Sequence, residues 1–225
     1  MAQYISETVF DIIYLIGVIV LGFIMFTGAG TNPLVKKYGL MAMILGGGDS
    51  FHLIPRIFAM WTTGFEANAI PLGLGKLVTS ITMTVFYMML YYIWRERYQI
   101  RGRNTLTAAM WGLAIVRIIL CLLPQNDWLN YKQPLFFGVL RNIPFVVIGL
   151  FIIVLFAQEA RKNKDTVFKF MPLAVILSFG FYIPVVLFSG VMPIIGILMI
   201  PKTISYVWIV LMGWQLYKQP AEAIT

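Results

Sequence analysis

The chain has 225 residues, of which 60% are hydrophobic and 12% charged, with a mean hydropathy of +0.85 and a single cysteine. Such a balance excludes a water-facing globular surface and a disulfide-stapled framework, and it describes an all-α integral membrane protein. The formal net charge of +8 does not mark a nucleic-acid partner, because the cations outside the apolar stretches gather in alternate loops.

In chain order, seven apolar stretches each supply the roughly 20 helical residues needed to cross about 30 Å of hydrocarbon. They lie at roughly 8–28, 38–62, 72–94, 105–123, 135–158, 167–190 and 192–217. Nothing ahead of the first stretch has the character of a basic n-region or a cleavage site, so this stretch is expected to stay in the protein as a helix. The second holds Gly46-Gly47-Gly48 followed by Asp49, His52 and Arg56, whose i, i+3, i+7 spacing sets three polar side chains on one helical face. The third carries Lys76 and Thr79, the fourth Arg117 and the lone Cys121, and the fifth Arg141, Asn142 and Pro144. Tyr182 and Pro184 lie in the sixth, and Pro201 and Lys202 in the seventh.

The loop cations fix an expected orientation. Lys36 and Lys37 follow the first stretch, Arg95, Arg97, Arg101 and Arg103 the third, Arg161, Lys162, Lys164 and Lys169 the fifth, and Lys218 the last. The intervening segments carry Glu7, Asp11, Glu66 and Asp127, with Lys132 as their cation. The positive-inside rule then sets the amino terminus outside and the carboxyl terminus in the cytoplasm. The expectation is a single seven-transmembrane-helix bundle over residues 1–225, multi-pass in the plasma (inner) membrane.

Arg56, Lys76, Arg117, Arg141 and Lys202 sit inside apolar stretches, where each charge costs about 2.5–3.5 kcal/mol on insertion scales. One carboxylate, Asp49, lies among them. A set so unbalanced assigns the missing negative charge to a ligand, held in an outward-facing cationic pocket by Arg56, Lys76, Arg117, Arg141, Asn142, Tyr182 and Lys202. Prolines at 55, 144, 184 and 201 fall beside these residues and would free backbone carbonyls there. Plainer readings stand beside this one: Lys76 snorkelling to an interface, Arg117 paired with Asp49, His52 as a hydrogen-bonded core residue, and the glycines as packing contacts. One histidine and one buried acid fall short of the three protein ligands of a catalytic metal site, so no metal is expected, and no cofactor either.

Taken together these features describe a membrane protein that binds a small anion or an anionic lipid headgroup, as a transporter or a receptor. Its partners would be membrane lipids, that ligand, and a separate signalling or transport protein. The alternative is an integral membrane enzyme acting on a phospholipid or other lipid, with Asp49 and His52 as its acid–base pair. Tyr182-Ile183-Pro184 and Lys202, in the sixth and seventh stretches, are faintly similar to the microbial rhodopsins. That resemblance implies a retinal Schiff base on Lys202. The third stretch lacks the acidic residue which that family carries as counterion, leaving Asp49 for the role.

Overall fold

The computed structural model describes residues 1–219; residues 220–225, the end of the expected 1–225 domain, lie outside the described residues. Seven helices form the molecule: α1 (Ala2–Gly28), α2 (Pro33–Trp61), α3 (Ala69–Arg97), α4 (Asn104–Leu122), α5 (Leu135–Lys162), α6 (Met171–Phe188) and α7 (Met199–Lys218). Short 3₁₀ segments, Pro124–Asn126 and Pro193–Leu198, precede α5 and α7. Six of the helices are long and apolar enough to cross a membrane, so the chain is a multi-pass helical membrane protein. The remaining one, α2, is diluted by Gly46-Gly47-Gly48, Asp49, His52 and Arg56. It nevertheless turns Phe51, Ile54 and Phe58 outward as an exposed apolar stripe, while its polar residues face the bundle.

Helix ends follow backbone chemistry rather than hydropathy. Asn32 caps α2, its Oδ1 accepting from the Leu34 and Val35 amides at 3.1 and 3.2 Å, and Pro33 occupies the first helical position. The helix therefore begins five residues before the apolar stretch does, and α1 likewise begins at Ala2 instead of at about residue 8. At the other end of the chain Pro193–Leu198 winds as 3₁₀, delaying α7 to Met199. Pro201 consequently falls in the first turn of α7, where no intrahelical bond is lost, and not in a kink as the sequence suggested. Pro55, Pro144 and Pro184 do lie inside their helices.

Each helix packs on the next, and α1 closes the ring against α7; α3 also touches α5, and α2 touches α7. The α1–α2–α3 contact is very close. A Cβ at Gly48 would overlap the Thr82 hydroxyl, and one at Gly75 would overlap the Phe51 carbonyl. Glycine is required at both positions for α2 and α3 to approach, and the Thr79 hydroxyl uses that proximity to donate to the Gly48 carbonyl at 3.0 Å.

The short loops give the bundle two faces, one carrying Met1 and one carrying the basic loops and Lys218. Beneath the basic face the core is aromatic: Tyr38 stacks on Phe168 with ring centroids 5.9 Å apart, and the Trp94 indole donates to the Leu155 carbonyl at 3.0 Å. Lys37 pairs with Glu96, and Arg97 Nε meets Asp165 Oδ2 at 2.9 Å.

Candidate functional site

In the half of the bundle nearer the Met1 face, α1 and α2 meet along a polar ladder in antiparallel register. Glu7, Asp11 and Tyr14 share one face of α1 at i, i+4, i+7 spacing, matching Asp49, His52 and Arg56 on α2. At the deep rung the Tyr14 hydroxyl donates to Asp49 Oδ2 at 2.6 Å, and both residues are buried. At the rung nearest the Met1 face, Arg56 Nε is paired with Glu7 Oε1. Between them Asp11 continues the α1 side of the ladder, while His52 of α2 sits against α3 at Gly75, within reach of the Lys76 charge. Asp11 is 6% exposed, and neither its Oδ2 nor His52 Nδ1 has a hydrogen-bond partner. The Asp49 carboxylate is engaged by Tyr14, and no hydrogen bond joins it to His52. The pair required for acid–base chemistry is thus not connected in this conformation.

Across the bundle, Arg117 of α4 is 2% exposed and lies flat on the Phe145 ring of α5, its guanidinium carbon 3.3 Å from the ring centroid. Its Nε and Nη1 have no hydrogen-bond partner. The ion pairs among the described residues are Lys37–Glu96, Arg56–Glu7, Arg97–Asp165 and Lys162–Glu159, so Arg117 has no carboxylate. An Arg117–Asp49 pair, one of the plainer sequence readings, is absent.

Arg141 has a structural occupation. Its Nη1 donates to Asn126 Oδ1 at 2.7 Å, and its guanidinium lies 4.3 Å over the Trp128 ring. Asn126 in turn donates to the carbonyls of Leu120, Cys121 and Leu123, which the end of α4 leaves without intrahelical partners. The Trp128 indole donates to the Cys121 carbonyl at 2.8 Å. Arg141 therefore ties the loop after α4 to α5. Asn142 is also satisfied, donating to the Gly138 carbonyl at 2.7 Å and accepting from the Tyr182 hydroxyl at 3.1 Å.

Lys202 is 7% exposed, with Nζ 4.8 Å from the Tyr182 ring and 5.3 Å from the Tyr206 ring. It lies within electrostatic reach of Asp49 and Arg117 without a direct ion pair to either. Lys76 is half-buried, and Arg56, Arg141 and His52 lie within reach of its charge. Beside Lys202 the interior is filled by interlocking rings, with Phe145 4.9 Å from Tyr87 and 5.0 Å from Phe179, and Phe86 5.7 Å from Tyr206. That packing does not fit an elongated chromophore on Lys202.

Two further carboxylates belong to this cluster. Glu7 and Asp11, which count as outer-segment charges by the loop pattern, both lie within α1, because the helix begins at Ala2. Five cations thus stand against Glu7, Asp11 and Asp49, rather than against Asp49 alone. The signal for them was the i, i+4, i+7 spacing on α1. Phe145, Asn126 and Trp128 carried no comparable signal. Comparisons of the chain with protein-family models, with curated proteins and with solved structures found no match, and the likeness to microbial rhodopsins extends no further than Tyr182-Ile183-Pro184 and Lys202.

Proposed function

We propose that the protein spans the plasma membrane seven times, Met1 outside and the basic loops in the cytoplasm, and that its buried cations bind a small anion or an anionic lipid headgroup. The lipid-facing stripe of α2 supports the seventh span, and the segregation of Lys and Arg to one face supports the orientation. The protein acts as a transporter or receptor for that anion, entered from the Met1 side.

Arg117 is the observation that carries the reading. A guanidinium is always charged, and removing it from water is costly unless it is paired and hydrogen-bonded. The Phe145 face returns about 2 kcal/mol or more in such a setting, but it satisfies no N–H. Nε and Nη1, on two different edges of the guanidinium, are charged donors left for acceptors such as the oxygens of a phosphate or carboxylate. Lys202, within range of Arg117, adds a second positive charge to the same space.

Thermal unfolding of the purified protein at constant ionic strength, with inorganic phosphate, glycerophosphate or acetate added, tests this. A ligand of the folded state raises the unfolding temperature with concentration, and Arg117→Met removes the response. No response to any of these anions, or an equal response in the variant, would sink the reading. Uptake into proteoliposomes separates a transporter from a receptor. Product released from phospholipid, and lost in Asp49→Asn, would replace both with the enzymatic alternative.

A further inference from the structure

On the opposite, basic face a groove of about 590 Å³ opens between the end of α5, the connecting loop and the start of α6. Its volume falls within the about 300–1,000 Å³ typical of ligand sites. Arg161, Lys164 and Lys169 form its rim, and all three side chains are exposed. Ala157, Leu173 and Ile176 line its trough; they too are exposed, and they lie one to two turns deeper in the bundle than the cations. The small side chain of Ala157 keeps the trough open. Lys164, two residues past the end of α5, has a left-handed backbone, φ 49°.

The one carboxylate at the groove does not neutralise the rim. Asp165 Oδ2 accepts from Arg97 Nε at 2.9 Å and from the Tyr98 hydroxyl at 3.1 Å, while Oδ1 accepts the amides of Val167 and Phe168. Glu159, a turn back on α5, meets Lys162 at 3.8 Å, and Lys162 is not part of the lining. Three cations over an apolar trough at the level where a membrane helix ends match one kind of molecule, with an anionic head and acyl chains that continue into the bilayer.

We infer that the α5–α6 groove is a binding site for an anionic phospholipid, its phosphate on Arg161, Lys164 and Lys169 and an acyl chain along Ala157, Leu173 and Ile176. The inference is independent of the anion site near the Met1 face and of which way the protein faces. Each Lys or Arg at a membrane surface contributes about fivefold to the affinity for anionic lipid, so the rim should favour such a lipid by about 100-fold over a zwitterionic one.

Native mass spectrometry of the full chain, released from nanodiscs of mixed phosphatidylglycerol and phosphatidylcholine, reads this directly. The anionic lipid is expected to stay bound. A triple Arg161→Gln, Lys164→Gln, Lys169→Gln variant should fall to the phosphatidylcholine level, while Arg161→Lys retains the lipid. These side chains are exposed, and the variant's unfolding temperature in detergent confirms its fold. Equal retention of the two lipids, undiminished retention by the triple variant, or full competition by free glycerophosphate would each overturn the inference.

Discussion

The two halves of the bundle are built from the same residue types and finished differently. Beneath the basic face, Asp165 accepts four hydrogen bonds, Glu96 holds Lys37, and Glu159 meets Lys162 and Asn163. Toward the Met1 face, Arg117 Nε and Nη1, Asp11 Oδ2 and His52 Nδ1 are buried without partners, as is the Tyr87 hydroxyl in the middle of the bundle. Native interiors rarely leave such atoms orphaned, because each costs about 1–3 kcal/mol. One half uses its polar groups to complete itself; the other keeps donors and acceptors in reserve, which is where a ligand would be sought.

The contrast can be broken at its strong end first. Asp165→Ala strips the partner from Arg97, from Tyr98 and from two backbone amides, and should destabilise the folded protein by about 3–5 kcal/mol in chemical unfolding. In the other half, Tyr14→Phe leaves Asp49 Oδ2 buried without its donor, for a loss of about 1–3 kcal/mol. A Tyr14→Phe effect as large as that of Asp165→Ala would mean that both halves are equally self-completed.

Acid should also act on the basic face. Burial alone would raise the Asp165 carboxyl, but the hydrogen bond from Arg97 and the amides of Phe168 and Val167 outweigh it and hold the group below the usual carboxylate range. A carboxyl lowered in the folded state adds stability above its unfolded value of about 3.9, and that stability is lost as pH falls from there through the folded value. Thermal unfolding between pH 7 and pH 3 should therefore show a loss below about pH 4 that Asp165→Asn lacks. The opposite sign is expected at Arg117. Replacing a buried guanidinium whose Nε and Nη1 lack partners by Met removes an uncompensated charge, so Arg117→Met should be neutral or stabilising, by up to about 4 kcal/mol, in ligand-free protein. A clear destabilisation would place Arg117 with the structural groups.

Much of the architecture was legible as apolar stretches, because hydropathy reports the thickness of the hydrocarbon. It does not report helix ends. Asn32-Pro33, a readable capping pair, starts α2 ahead of its apolar run, and a six-residue 3₁₀ segment, Pro193–Leu198, precedes α7. In the candidate site, the ladder on α2 was legible from spacing, and the matching ladder on α1 could have been read the same way. The stacking of Arg117 on Phe145 joins residues 28 positions apart, and the Arg141–Asn126 tie depends on a loop folding back over α4. Neither contact leaves a periodic trace along the chain.

The antiparallel ladder of α1 and α2 also bears on how the protein enters its membrane. On its own, α2 carries Asp49 near its centre and Arg56 beyond it, each costing about 2.5–3.5 kcal/mol at the middle of a bilayer on translocon scales. Beside α1, Arg56 meets Glu7 and Asp49 meets Tyr14, and only residues 29–32 separate the two helices. The two segments are therefore expected to integrate as a hairpin, with α1 waiting for its partner to emerge from the ribosome. Glycosylation mapping in microsomes should find α2 poorly inserted alone and well inserted when α1 precedes it, and a Glu7→Lys, Tyr14→Phe hairpin should lose much of that advantage.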